Sequence, residues 1–246
     1  DIAPNFLDPR YIRVDGKSML LVYRINLLPD PSRAAEIWRE ESRRMGIGEI
    51  YLGVIQSFGI KDPRSYGFDA AIEFPPHHLG QAEIGVHNLK GVHAEFRGRI
   101  FDYGLAARTM MNKQYGEYTV FKTVMPSWDN TARKQKDSHI FVNSSPSAYK
   151  AWLENAVEYT RRSLPESKRF VFINAWNEWA EGTYLEPDRK YGYAYLQATA
   201  EALTGKSGGV STSSEASWTL LFVSHDANRG GAQLVLLNML AWFKKY

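Results

Sequence analysis

The sequence predicts an α/β fold built on a parallel sheet. Three observations carry the prediction. Short apolar runs of strand length alternate with amphipathic helical segments. The runs show the continuous apolar character of buried strands. Polar and aromatic residues gather just after the run ends, at Tyr23–Arg24, Glu73–His77, Trp128–Arg133 and Trp176–Glu181. In a (β/α)8 barrel of the TIM type, those ends form the active-site face. About five strands are legible up to residue 203, whereas a barrel needs eight. The sheet is therefore either open or part of a barrel whose first three strands precede Asp1.

In order along the chain, Asp8-Pro9-Arg10-Tyr11 and Asp15-Gly16-Lys17 are turn signals. Ser18–Ile25 (SMLLVYRI) is the first strand. Ser32 is placed to cap a helix reaching about Met45, with Ala34, Ile37, Trp38 and Met45 at helical spacing and Gly46 and Gly48 as stops. Glu49–Gln56 and Gly67–Phe74 are the second and third strands, the latter closed by Pro75-Pro76. Gly80–Arg99 is polar and glycine-rich, which predicts a long loop. Asp102–Tyr115 is a helix and Glu117–Met125 the fourth strand. Ser145-Pro146 opens an amphipathic helix whose Tyr149, Trp152, Leu153, Ala156, Val157 and Thr160 share a face, so Trp152 is read as core. Arg169–Ala175 is the fifth strand. Tyr191, Ala194, Tyr195, Ala198 and Ala202 mark a helix ended by Gly205.

The tail differs in character. Residues 204–216 are a Gly/Ser-rich linker. Trp218–His225 reads as a strand, Asp226–Gly231 as a glycine-containing turn and Ala232–Lys245 as an amphipathic helix. Strand, glycine turn and helix are how a Rossmann-like unit begins. Residues 217–246 are therefore expected to be the start of a further domain.

Composition narrows the function classes. With 44% hydrophobic residues in 246, the chain can build a sizeable core. A net charge of +3 without a basic run gives no reason to expect nucleic acid. The absence of cysteine excludes disulfides and thiolate metal sites. No apolar stretch reaches the roughly 18 residues that suggest a membrane span. His77, His78, His87 and His93 lack metal-ligand spacing, so no protein-bound metal is expected in this region; no cofactor is expected either.

The chemistry concentrates in Asn174–Gly182 (NAWNEWAEG), where Glu178 and Glu181 stand among Trp176, Asn177 and Trp179. Paired carboxyl groups suit glycoside chemistry: one acid protonates a leaving oxygen while the other supports the oxocarbenium-like centre. Indoles stack on the apolar face of a pyranose. Residues i and i+3 point to opposite faces of a continuing strand. The two glutamates therefore converge only if the strand breaks near Glu178, and Gly182 fits such a break. The plainer reading is a strand end carrying solvated acids. Trp128 and Asp129 are candidates to line a sugar pocket, or else a core residue and a turn cap. Tyr23 and Arg24 are candidates to contact substrate, unless Arg24 pairs with a structural acid. Glu73 is functional if it points inward and solvated if outward. Glu186 belongs to the turn into the last helix.

Four segments, RYIRVDGKSMLLVYR, GFDAAIEFPPH, PSWDNTAR and NAWNEWAEGTYLEPD, resemble the WbsX-type glycosyltransferase family, which is related to the family 99 glycoside hydrolases, the endo-α-mannosidases. The resemblance covers roughly residues 1–203. It implies a (β/α)8 barrel, with N-terminal strands missing from this stretch of chain. It also implies catalytic roles for Glu178, as base toward a sugar 2-hydroxyl in a retaining, anhydro-sugar route, and for Glu181, as general acid/base. Trp176, Asn177, Trp179, Tyr184, Trp128, Asp129, Tyr23, Arg24 and Glu73 are the candidate substrate contacts. The tail segment SHDANRGGAQLVLLNML resembles the opening of a GT-B-type glycosyltransferase. The context implied is bacterial surface-polysaccharide assembly, of the O-antigen or lipopolysaccharide type. The partner is then an oligosaccharide or polysaccharide, with a nucleotide-sugar donor if the reaction is a transfer. The expected location is cytoplasmic, with a lipid-linked glycan offering peripheral attachment at the inner face of the plasma membrane. A retaining endo-acting hydrolase and a non-catalytic glycan-binding module are the alternatives. Asp129-Asn130 is not the Asp-x-Asp metal motif of many nucleotide-sugar sites, which weighs against the transferase.

Overall fold

The computed structural model describes residues 2–86, 89–205 and, by backbone alone, 219–222. A short helix, α1 (Ala3–Leu7), precedes a hairpin of β1 (Arg13–Val14) and β2 (Lys17–Val22), turned at Asp15-Gly16. The helix α2 (Pro31–Arg44) begins earlier than expected. Its cap is Asp30 rather than Ser32, because Asp30 Oδ1 accepts the Arg33 N–H at 2.9 Å. Pro31 then takes the first helical position, where a missing N–H costs nothing. β3 (Ile50–Ile55) and β4 (Ala70–Ile72) follow. The stretch expected to be a long loop contains β5 (Glu83–Ile84) and ends in β6 (Arg99–Asp102). The helix expected over Asp102–Tyr115 is the shorter α3 (Tyr103–Met111), capped by Asp102. Next come β7 (Thr119–Val124), β8 (Trp128–Asp129), α4 (Thr131–Lys134) and β9 (His139–Val142). The order ends with α5 (Pro146–Ser163), β10 (Phe170–Ile173), β11 (Asn177–Glu178), β12 (Thr183–Tyr184), α6 (Ala194–Thr204) and β13 (Thr219–Phe222).

β2, β3, β4, β7, β10 and β13 pair in parallel in that order, with β1 antiparallel at one edge. The order never reverses, as in a barrel wall; a doubly wound sheet reverses at its switch point. Side chains alternate with the period of two that strands impose. Met19, Tyr51, Ile55, Ala70, Ile72, Phe121, Phe170 and Phe172 form one cluster on the inner face. Ile50, Leu52, Val54, Ala71 and Val120 pack outward with Ala35 of α2, and Val171 and Ile173 pack outward with α3, α5 and α6. Gly53 belongs to the inner face. A Cβ there would lie 2.6 Å from both Ile72 Cδ1 and Leu21 Cδ2, so its neighbours fill the space above its backbone. The result is a curled half-barrel, the partial (β/α)8 architecture that the strand ends suggested.

A smaller sheet, ordered β5–β6–β9–β8, is built from the two connections that leave the C-terminal ends of β4 and β7. It therefore belongs to the functional end of the barrel. The helices α3 and α5 return from it to cover the main sheet. Trp152 is in the core as expected, fully buried with Tyr149 and Leu153 on one face of α5. Ser145 caps that helix by accepting the Ala148 N–H at 3.2 Å. Ser145→Ala is expected to cost about 1 kcal/mol, read as a Tm lower by about 2–4 °C.

The backbone of Thr219–Phe222 runs parallel beside β10, with Phe170 opposite Thr219 and Ile173 opposite Phe222. It occupies the next position in the same wall. The linker beyond Gly205, the glycine turn and the helix expected at Ala232–Lys245 lie outside the described residues.

Candidate active site

The C-terminal ends of β2, β3, β4, β7 and β10 surround a cavity of about 290 Å³. Its floor is the last inward layer of the barrel: Leu21, Ile55, Ile72, Thr123 and Phe172. Above them stand Tyr23, Phe74, Asn174, Ala175 and Glu178, with Glu73 at the margin. Asn174 ties two walls together: its Nδ2 donates to Pro75 O at 2.9 Å and its carbonyl accepts from Thr183 Oγ1 at 2.5 Å. The mostly apolar lining with a few fixed polar groups is the usual make-up of a small-molecule site.

Glu178 reaches the cavity because the chain breaks there. β10 ends at Ile173, and β11 pairs antiparallel with β12, Asn177 opposite Tyr184 and Glu178 opposite Thr183. The hairpin turns through one 3-10 turn, Trp179–Glu181, and through Gly182 at φ 61°. Glu178 is half-buried, and among the described residues no hydrogen bond or ion pair holds its carboxylate.

Glu181 is placed differently. It is 7% exposed, its carboxylate is ion-paired with Arg133 of α4, and it lines neither this cavity nor the one beside it. The break at Glu178 exists, but it turns Glu181 toward α4 rather than bringing the two carboxyl groups to one cavity. Two more links fix this arrangement. Ser127 Oγ donates to Gly182 O at 2.6 Å, and a Cβ on Gly182 would lie 2.6 Å from Asp129 O. Gly182→Ala therefore meets both a backbone clash and a left-handed φ. The expected cost is about 2 kcal/mol, or a Tm lower by about 4–8 °C, and turnover should fall with it.

The remaining candidates divide. Trp176 is 1% exposed in the core, so it stacks on no sugar; its carbonyl instead accepts the Leu185 and Glu186 N–H groups at 2.8 and 3.0 Å. Trp179 is 47% exposed and lies flat on Tyr184, ring centroids 3.8 Å apart, with its indole N–H donated to Glu186 at 2.7 Å. Glu186 thus supports this pair rather than serving only the turn. Trp179 and Tyr184 line a second cavity of about 430 Å³ on the other side of the hairpin, with Trp128, Asp129, Asp188 and Lys190. The Tyr184 hydroxyl donates to Asp188 at 3.1 Å, and burial and that carboxylate push its pKa up to about 12. Trp128 is 7% exposed and packs in the core while bordering this cavity. Asp129 accepts from both the backbone N–H and the hydroxyl of Thr131, the turn-capping alternative. Asn177 is half-buried on β11.

Glu73 is neither inward nor solvated. It is fully buried, and its carboxylate accepts from Lys122 Nζ at 3.1 Å and from Thr123 N at 3.2 Å. Its position one residue past Ile72 pairs its carboxylate with Lys122, while the residue still borders the cavity. Arg24 has no carboxylate partner among the described residues. Its guanidinium stacks over Phe58, 3.9 Å from the ring centroid, and its Nε donates to Asn26 at 3.0 Å. Tyr23 is 39% exposed at the cavity mouth. The sequence reading left Asn174, Phe74, Thr123, Phe58 and Arg133 without roles. Asn174 and Phe74 fall within the strands expected from the sequence, and only the earlier strand ends at Ile173 and Ile72 put them at the cavity. Among the described residues no group of three or more His, Asp or Glu is arranged to hold a metal ion.

Residues 1–199 match the family described as Glycosyltransferase WbsX. The chain belongs to that family. The chain is also similar to two relatives, each named Uncharacterized protein WxcX, from Xanthomonas campestris pv. campestris strains B100 and ATCC 33913. Each is 43% identical over 203 residues, 82% of this chain. The chain spans 29% of the length of these relatives. A solved structure described as a glycoside hydrolase-like protein aligns with a TM-score of 0.54 at 18% identity, covering 82% of this chain and 58% of that one. At that identity the likeness speaks for the fold, and it agrees with the partial barrel.

Proposed function

We propose that this WbsX-family chain catalyses glycosyl transfer in the assembly of a bacterial surface polysaccharide of the O-antigen or lipopolysaccharide type. The observation that carries the reading is Glu178, a carboxylate without a protein partner among the described residues, on the wall of a mostly apolar cavity at the C-terminal strand ends. A carboxylate so placed can take a proton from a sugar hydroxyl, which is the role the family resemblance gives it. Glu181 is the second acid of the pair and acts after leaving Arg133. Tyr23 on one side and the Trp179–Tyr184 stack on the other offer flat faces to pyranose rings.

The donor is a nucleotide-sugar and the acceptor an oligosaccharide or polysaccharide, with no cofactor or metal required of the protein. The reaction takes place in the cytoplasm, at the inner face of the plasma membrane when the acceptor is lipid-linked. Among the described residues no helix is long and apolar enough to cross a membrane; the proposed attachment is through the glycan.

The test is a panel of α-linked mannose and rhamnose oligosaccharides, each with and without nucleotide-sugars. Product that forms only with a nucleotide-sugar is expected. Reducing sugar released without one would replace the reading with a retaining, endo-α-mannosidase-like hydrolase. Glycan binding without turnover under either condition would leave a binding module.

A further inference from the structure

Three consecutive strand ends place aromatic rings side by side at the mouth of the Glu178 cavity. Tyr23 follows β2, Phe58 follows β3, and Phe74 and His77 follow β4. Tyr23 meets Phe74 at 5.4 Å between ring centroids, Phe58 meets His77 at 5.1 Å, and His77 stacks on Phe74 at 5.5 Å and 22°. Tyr23 and Phe74 line the cavity itself, so this ledge is continuous with it.

Phe58 is 52% exposed and has φ 48°, in the left-handed region that favours glycine. A bulky apolar residue held in that conformation and turned to solvent is an outlier for both backbone and burial. Ser57 beside it is buried and donates to Tyr23 O at 3.2 Å, which fixes the approach of the two strand ends. Arg24 lies over Phe58 with no carboxylate partner among the described residues. Burial lowers the pKa of both imidazoles, and Arg24 acting on His77 and Lys113 and Lys61 acting on His78 push in the same direction. The ledge therefore combines an exposed aromatic face with the Arg24 guanidinium, which no described acid pairs.

We infer that the Tyr23–Phe58–His77 ledge with Arg24 is a subsite for an anionic saccharide, whose ring stacks on the aromatic face while its carboxylate or phosphate meets Arg24. The inference rests on the reading of the Glu178 cavity as a glycan site, which the ledge extends. A bidentate guanidinium suits either anion. The carboxylate of an acidic sugar and the phosphate of a glycosyl phosphate share this chemistry, and separate probes distinguish them.

The experiment titrates methyl α-mannoside, α-mannose 1-phosphate and methyl α-mannuronoside into the whole chain carrying Glu178→Gln, by calorimetry or ligand-detected NMR. The titrations are repeated with Phe58→Gly and with Arg24→Gln added. Glycine is at ease at φ 48°, so Phe58→Gly removes the ring without straining the backbone. At least one anionic probe is expected to bind about tenfold more tightly than the neutral one. Arg24→Gln should abolish that preference and Phe58→Gly should weaken all three. The probe that gains names the anion. Equal binding of the three probes, no binding of any, or a preference that survives Arg24→Gln would overturn the inference. Turnover of Glu178→Gln is scored separately. Flat titrations beside a dead Glu178→Gln enzyme reject the ledge alone, and the expected titrations beside an active one reject the cavity chemistry alone.

Discussion

Glu178→Gln is expected to lower turnover by about 10²–10⁴-fold while leaving the Tm almost unchanged. The two halves of that expectation come from one geometric fact. Glu178 lines the cavity, and among the described residues no hydrogen bond or ion pair holds its carboxylate. Glutamine keeps the shape and gives up only the negative charge and the ability to take a proton, so folding has little to lose. Glu181→Gln is the harder case, because it also leaves Arg133 without its ion pair. Arg133→Ala separates the possibilities. If Glu181 is the second acid, Arg133→Ala should cost far less activity than Glu181→Gln, since the carboxyl group remains. Equal losses in the two variants would assign Glu181 to holding the hairpin against α4. Glu178→Gln within a few-fold of wild-type turnover would remove the cavity from the mechanism altogether.

The parallel sheet was legible because its strands are apolar on both faces, and runs such as EIYLGVI and FVFI stand out against polar flanks. The strand ends were legible for a related reason: side chains that follow such strands face the barrel mouth, which drew attention to Tyr23 and Glu178, and both line the cavity there. The smaller sheet was not legible. Its strands are two to four residues long and are stabilised by pairing across distant segments, β6 with β9 and β5 with β6, which leaves no periodicity in either segment. Trp176 shows the limit of reading residue types near a site. An indole beside two glutamates suggests stacking on a sugar, but the chain leaves the strand phase after Ile173 and packs Trp176 into the core with Val171 and Ile173, while Trp179, three residues on, is exposed by the turn. The same turn decided the acids. Spacing required a break between Glu178 and Glu181, and spacing alone did not reveal that Arg133 would take one of them.

Lys122→Met is expected to destabilise the fold by about 3–5 kcal/mol at pH 8, the cost of leaving a buried partner charge unpaired. Lys122 and Glu73 are 2% and 0% exposed at their side chains. The ammonium donates to Glu73, to Met110 O at 3.1 Å and to the Tyr115 hydroxyl at 3.0 Å, which uses all three of its hydrogens. Burial already holds the Glu73 pKa above its ordinary value of 4.5, against the attraction of Lys122 and Lys113. Without Lys122 the shift grows. A carboxyl group with a raised folded pKa binds its proton more tightly in the folded state, so the stability it contributes is present below its unfolded pKa and is lost as pH rises through the folded value. The deficit of Lys122→Met should therefore be largest at pH 8 and shrink as the pH falls toward 5. Adding Glu73→Gln should recover much of it at pH 8. Urea denaturation of the single and double variants across that range reads both effects, and a deficit that is flat in pH and indifferent to Glu73→Gln would sink the account. The pair also matters to the site. Glu73 accepts the Thr123 N–H through its carboxylate and the Thr123 hydroxyl, at 2.5 Å, through its carbonyl. It thereby locks the end of β4 to the end of β7, the two strands that carry Phe74 and Thr123 into the cavity. Lys122→Met should then raise KM at pH 8 even at temperatures where the variant stays folded.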